Sequence, residues 1–316
     1  MAEITNDKGA RMSEALNAPG IFRFPFRAMA SVCEVVLEAE DARAAAQLAK
    51  AAIDEVARIE RKYSRYRPDS VITRINGAAG HAWVDCDDET VDLLDFGHSL
   101  FEASAGRFDM TSGVLRQAWD FKRAVLPDAH TLARLSALVG WDKVERQGAR
   151  LRLPLAGMEL DVGGFGKEYA ADRAARALSA AGATSAYVNL AGDLHVLGPR
   201  PDGSAWLIGI QHPRQQARVL ATIPIMRGAL ATSGDYERFF LLDGRRYCHI
   251  LNPGSGLPVD YWQSVSVLAP LAIDAGAKAT IAMLLEQDGL AFLEGTGLRY
   301  LAVDREGIVH QAGAHK

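Results

Sequence analysis

Four stretches of the 316-residue chain bring together residue types able to do chemistry. The first is Leu160-Asp161-Val162-Gly163-Gly164-Phe165-Gly166-Lys167-Glu168-Tyr169. An apolar run ends in three closely spaced glycines, and a helix opens with a lysine. Glycines let a ligand approach the backbone, and free amides at a helix start carry partial positive charge. A phosphate is the natural ligand for such a turn. Spacing excludes a P-loop, because Asp161 stands five positions before Gly166 and Glu168 follows Lys167 in place of Ser or Thr. A tight strand-to-helix turn with a surface lysine explains the pattern equally well.

The second stretch joins Ala231-Thr232-Ser233-Gly234-Asp235-Tyr236 to Cys248-His249-Ile250-Leu251-Asn252-Pro253-Gly254-Ser255-Gly256. Here a hairpin return strand delivers His249 into a Gly/Pro turn, where an imidazole can act as a base near neutral pH. By pattern alone, a half-buried histidine with ordinary partners is the commoner outcome. The remaining histidines show no metal-ligand spacing. The third stretch, Tyr63 to Asn76, holds two tyrosines (Tyr63, Tyr66) and three arginines (Arg65, Arg67, Arg74). It suits an aromatic, phosphorylated ligand, and also suits an exposed helix-to-loop turn. The fourth, Gly106-Arg107-Phe108-Asp109-Met110-Thr111-Ser112-Gly113, reads on its own as a loop.

The elements that must position these stretches follow from periodicity. Apolar residues at helical spacing predict helices over Glu40–Lys62, about Asp87–Ala103, Asp128–Val139, Lys167–Ala181 and Ala272–Leu285. Strands are predicted at Ser31–Glu38, Leu151–Leu153, Met158–Val162, Ala186–Leu190, Trp206–Gln211 and Ala217–Ile225, with the Leu151 and Met158 strands flanking an Ala156-Gly157 turn. Asp243-Gly244 marks a hairpin between Phe239–Leu242 and Arg245–Ile250, and a second hairpin closes the chain over Tyr300–Gln311. Helices early and strands late, without regular βαβ alternation, argue for an α+β fold. Residues 1–20 read as a flexible tail.

Composition narrows the function. The sum of 35 basic and 39 acidic residues is −4, and no segment concentrates Lys and Arg, which argues against a nucleic-acid partner. Cys33, Cys86 and Cys248 are far apart, so neither a disulfide framework nor a zinc cluster is expected. No apolar run is long enough for a membrane span, and a cytoplasmic location is the simplest reading.

Taken in order, these segments resemble the ApbE family, the FAD:protein FMN transferases. Ser64 to Asn76 is similar to that family's S-x-Y-x-x-x-S-x-[IL]-x-x-[IL]-N run, and Phe108 to Gly113 to its FDxTxGP segment without the proline. Leu160 to Asp172 resembles DLGGIAKGYAVD, and Tyr187 to Asp193 resembles VNLGGD. Ala231 to Phe240 and His249 to Pro258 are similar to ATSGDYxRFF and HIxDPxTGxP. The resemblance spans about Phe24 to Met283 and implies one flavin transferase domain over residues 21–316. It further implies mixed helices and antiparallel sheet in two lobes, with a ligand cleft between them. FAD would be the donor, FMN would pass to a Thr or Ser hydroxyl of a target flavoprotein, and AMP would leave. Carried over, Met29 and Tyr66 flank the rings, while Arg107, Phe108 and Asp109 line the dinucleotide site. Asp161, Lys167, Ile250 and Leu251 contact FAD, and His249 activates the acceptor hydroxyl.

The implied metal is Mg²⁺, held in the family by an A-D-A-x-x-T run. Here that run is Ala275-Gly276-Ala277-Lys278-Ala279-Thr280, so Gly276 stands at the aspartate position. Gly164, Thr280 and Asp274 are the remaining candidate ligands, and Lys278 adds a charge nearby that can replace part of the metal's. Milder departures are Met29-Ala30-Ser31 for M-G-T, Glu168 for a glycine, and Asn252 for an aspartate. An altered metal site also admits two other functions: a protein that binds FAD without transfer, or a pyrophosphatase giving FMN and AMP.

Overall fold

Phe22, Phe24 and Phe26 alternate with Arg23, Pro25 and Arg27, and the chain here forms strand β1, Ile21–Ala28. The phenylalanines are half-buried and the alternate residues exposed. The computed structural model describes residues 20–215 and 218–312, so the tail expected over 1–20 lies, up to residue 19, outside the described residues, as does Ala217. Contacts divide the chain into two compact units.

The first unit comprises the chain up to Glu60, Lys167–Ala231 and Ala269–Ile273. Strand β1 pairs antiparallel with β2 (Ser31–Glu38), and β2 with β6 (Ala186–Leu190). Strand β6 then pairs with β7 (Asp193–Val196), which pairs with the start of β10 (Gly228–Gly234). Strands β8 (Trp206–Gln211) and β9 (Val219–Ile225) form a separate hairpin. Pro25 has no amide to donate, and β1 tolerates it because it is an edge strand. The β1–β2 turn is Met29-Ala30, both at positive φ (51° and 60°). This is the two-residue geometry that favours glycine, here without one. Helix α1, Ala42–Tyr63, buries Ala45, Ala49, Ala52, Val56 and Ile59. A further helix, Gly166–Ala180, buries Ala170, Ala171, Ala174, Ala175 and Leu178. Mostly alanine on that face permits close packing at little entropic cost.

The second unit comprises Arg61–Gly166, Thr232–Leu268 and the chain from Asp274. Its helices begin where the sequence supplies caps: Ser70 before α2 (Val71–Gly77), Asp87 before α3 (Asp88–Ala103) and Asp128 before α4 (Ala129–Ser136). Each cap side chain accepts from an amide three positions on, a contact worth about 1 kcal/mol. The first unit's helix Gly166–Ala180 is α5, and Ala272–Leu285 and Gly289–Thr296 are α6 and α7. The hairpin of β11 (Phe239–Leu242) and β12 (Arg245–Cys248) turns on Asp243-Gly244 as predicted, although β12 stops at Cys248. Strands β13 (Trp262–Ala269), β14 (Arg299–Asp304) and β15 (Val309–Gln311) pair antiparallel.

One strand prediction is corrected. Met158–Val162 does not pair with Leu151–Leu153; β5 (Arg150–Arg152) pairs instead with β3 (Val84–Asp85) and β4 (Glu145–Gln147). The backbone of 158–162 finds its partners elsewhere. Leu160 N–H donates to Asn76 Oδ1 at 2.7 Å, Asn76 Nδ2 donates to Leu160 O at 3.0 Å, and Asp161 N–H donates to Met110 O at 2.8 Å. A side-chain amide mimics a strand here and leaves the segment free to turn into glycines. The architecture is α+β, as read from the sequence.

Candidate active site

In the second unit, the turn after Leu160 is held in shape by its own aspartate. Asp161 Oδ1 accepts from Gly163 N–H at 2.9 Å, and Asp161 Oδ2 pairs with the Arg65 guanidinium. Two glycines are required by close packing. A Cβ on Gly113 would lie 2.6 Å from Asp161 Cβ, and one on Gly164 would lie 2.8 Å from the Phe108 ring. The DVGG turn and the 108–113 segment are therefore one packed assembly.

The carried-over residues of this region take different roles. Tyr66 is 73% exposed, with the Arg65 guanidinium 5.0 Å from its ring centroid and Arg65 Nη2 donating to Tyr66 Oη at 2.9 Å. It presents an aromatic surface with a cation beside it. Arg107 is also exposed. Phe108 is buried against Gly164 and stacks on Phe165 with centroids 6.1 Å apart. Asp109 is buried and occupied. Its Oδ1 accepts from Thr111 N–H at 2.7 Å and Thr111 Oγ1 at 2.6 Å, and its Oδ2 accepts from Trp141 N–H at 2.9 Å. The side chain caps the turn Met110–Gln117. Phe108 and Asp109 thus pack behind the glycine turn and the 110–117 turn.

His249 stands just past β12 and is exposed; its backbone N–H donates to Arg238 O at 3.0 Å, which extends the hairpin register by one pair. The following loop closes on itself. Asn252 N–H donates to Leu257 O and Gly256 N–H to Asn252 O, both at 2.8 Å, while Trp119 Nε1 donates to Gly256 O at 2.9 Å. Leu251 packs on the core of Val114, Leu115 and Leu135, which anchors the loop, and Ile250 is half-buried beside it. Asp235 is buried with Arg246 at 3.7 Å, so the acid of the 231–236 segment belongs to an ion pair. His249 thus leads into a loop pinned by backbone hydrogen bonds, the Trp119 indole and the packing of Leu251.

The residues implied for Mg²⁺ also lie in this unit. A small hard cation needs oxygen donors, commonly with one or two carboxylates among them. Gly276 has no side chain. Thr280 Oγ1 shares a hydrogen bond with Ser233 Oγ at 2.8 Å, and the Asp274 carboxylate is paired with Lys278 Nζ. Positions 274 and 278 share one side of α6, about 200° from positions 276 and 280. Gly164 brings only backbone. Among the described residues no group of three or more His, Cys, Asp or Glu is placed to hold a metal ion. This donor set does not fit Mg²⁺, and Lys278 is neither directed to the Thr280 side nor without a counter-charge.

The first unit contributes two carried-over residues. Met29 N–H donates to Glu60 Oε1 at 2.9 Å, which holds the strained β1–β2 turn. Lys167 Nζ pairs with Asp193, whose side chain is 2% exposed. Sequence reasoning missed Arg65, Asn76 and Ser233 as the partners that fix Asp161, Leu160 and Thr280. Arg65 and Asn76 sit inside the third stretch, where their spacing gave no hint of which backbone they would meet.

Known proteins resemble this chain in sequence and in fold. A sequence profile of the ApbE family matches residues 29–302. The FAD:protein FMN transferase of Treponema pallidum is 33% identical over 258 residues, covering 74% of this chain and 71% of its own. That of Escherichia coli K12 is 26% identical over 278 residues, 84% of this chain and 79% of its own. Among solved structures, the ApbE protein of Thermotoga maritima aligns with a TM-score of 0.85 at 28% identity, covering 92% of this chain and 97% of its own. The Pseudomonas stutzeri flavinyl transferase ApbE aligns with a TM-score of 0.82 at 29% identity, covering 93% and 95%. With a matched profile over most of its length, this chain belongs to the ApbE family.

Proposed function

We propose that this chain transfers FMN from FAD to a Thr or Ser hydroxyl of a target flavoprotein and releases AMP. Family membership supports the reaction, and the observation that carries it to this chain is His249, exposed on a loop braced by Asn252, Trp119 and Leu251. In the step, the acceptor hydroxyl gives its proton to the His249 imidazole as its oxygen attacks the FMN phosphorus. The bond from that phosphorus to the bridging oxygen breaks, and AMP departs with that oxygen. Lys167 and the glycine-rich amides stabilise charge on the phosphate oxygens. Tyr66 offers its exposed ring to the flavin or adenine, Arg107 and Ile250 line the dinucleotide, and Asp161 holds the shape of the DVGG turn. Phe108, Asp109 and Leu251 act by packing behind the surface.

Gly276 and the Asp274–Lys278 pair favour a second reading, FAD binding without transfer, because the chain supplies no acid from α6 for a cation at the pyrophosphate. One assay separates the readings. The purified chain is incubated with FAD, Mg²⁺ and a flavoprotein bearing an acceptor threonine, and covalent flavin fluorescence and AMP are measured. Transfer gives labelled target and AMP in equal amounts, lost in His249→Ala. AMP without label indicates the pyrophosphatase, and bound FAD with neither product indicates a binding protein. No described helix is long and apolar enough to cross a membrane, and the three cysteines are free and buried. A cytoplasmic site of action accords with both.

A further inference from the structure

Glu168 is the third residue of α5 and stands where the family signature has glycine. It is 5% exposed, and its Oε2 is buried without a hydrogen-bond partner. The charged groups that face it are Asp193 from β7, and Lys167 and Asp172 from its own helix. Asp193 is already paired with Lys167. Asp172 is taken by His195 Nδ1 at 2.6 Å and by the amides of Ala272 and Ile273 at 2.7 and 3.0 Å. Lys167 and Glu60 of α1 both face the Cys33 thiol of β2, which burial pushes up, so it adds no charge at neutral pH.

Lys167, the cation that faces Glu168, is shared with Asp193, and Glu168 Oε2 is buried with no hydrogen-bond donor to stabilise an anion. A carboxylate in that position neutralises itself by taking a proton. Burial first, and then the charge of Asp193, push Glu168 up to about 8.

We propose that Glu168 is a positioning residue for Lys167: protonated, it leaves the ammonium paired with Asp193 and able to reach a pyrophosphate, and ionised, it adds a further counter-charge that withdraws it. The inference rests on the FAD reading above and adds to it a dependence of FAD affinity on pH. Its sign is fixed by linkage. If FAD prefers the protonated form, bound FAD raises the proton affinity of Glu168, and raising the pH weakens FAD binding.

The test measures FAD dissociation constants of the full chain by calorimetry at pH 6.5, 7.5 and 9, for the native protein and for Glu168→Gln and Glu168→Gly. The native affinity should fall about tenfold over that range, one decade for each unit by which FAD shifts the proton equilibrium. Glu168→Gln, a permanent mimic of the protonated acid, should bind at pH 9 as it does at pH 6.5. Glu168→Gly supplies the same comparison if the glutamine variant does not fold. A side chain of purely structural importance would change the melting temperature and leave the pH slope intact. Parallel slopes in native and variant proteins, or a flat native profile, overturn the proposal and leave FAD binding standing. Absence of FAD binding at every pH removes both.

Discussion

The first two turns of α5 and α6 depart from the family pattern in opposite senses. Helix α5 gains a carboxylate at Glu168, and α6 lacks one at Gly276. Formal net charge is blind to such an exchange. Position decides what each change does. The gained acid is buried beside Asp193 with an unpartnered oxygen, so it is held neutral and acts on a neighbouring ammonium. The missing acid leaves Thr280 bonded to Ser233 and no anionic donor on that side of α6. One helix start tunes a charge it already has, and the other supplies none.

A single residue reaches both helices. Asp172 of α5 accepts from the first two amides of α6 and lies beside His195, with its side chain 11% exposed. Asp172→Ala removes a charged cap from two amides and leaves an imidazole without its partner. It should cost about 3 kcal/mol, measured by urea unfolding. Asp172→Asn should recover part of this, since an amide oxygen still accepts. A loss below about 1 kcal/mol would mean that α6 is started by something other than this cap, and the comparison of the two helices would lose its shared anchor.

How much of this was legible in the sequence depended on where the hydrogen bonds go. Helices α1, α3, α5 and α6 were read nearly to their ends, because caps and periodicity are local. The buried face of α1 runs through Ala45, Ala49, Ala52, Val56 and Ile59, at the three- and four-residue spacing that marks a helix in the sequence. Strand β13 was missed because Ser264 and Ser266 interrupt its apolar pattern, yet both are fully buried, and Ser266 Oγ meets Thr232 Oγ1 at 2.8 Å. Strand β1 was missed despite its alternating phenylalanines, since Pro25 argues against a strand unless its place at an edge is known. The site divided in the same way. Motif order singled out His249, Asp161 and Lys167 as candidates. It did not disclose that Asp109 and Phe108 face inward, because burial of a polar or aromatic side chain depends on partners distant in sequence.

Restoring the missing acid is the direct challenge to the comparison. Gly276→Asp places a carboxylate on the same side of α6 as Thr280. Mg²⁺ affinity of the FAD-loaded protein should rise at least about tenfold, equivalent to about 1.4 kcal/mol. Calorimetric titration of Mg²⁺ into native and variant proteins reads this directly, without reference to turnover. Identical isotherms would show that position 276 is not where a cation would sit, and the contrast with α5 would then rest on Glu168 alone.

The smallest effect is expected at Lys278. Its ammonium is paired with Asp274 four residues earlier, and the two side chains are 24% and 35% exposed. Exposed pairs at this spacing contribute about 0.3–0.5 kcal/mol. Lys278→Ala deletes a cation from α6 without touching the side that carries Gly276 and Thr280, and alanine favours the helix by a few tenths of a kcal/mol. The two terms nearly offset, so unfolding free energy should change by less than about 0.5 kcal/mol. FAD affinity should stay within twofold, on the order of 0.4 kcal/mol. A larger loss of FAD affinity at unchanged stability would place the Lys278 charge on the ligand. The helix that lacks an acid would then be contributing a cation of its own, and the asymmetry between α5 and α6 would be one of sign rather than of presence.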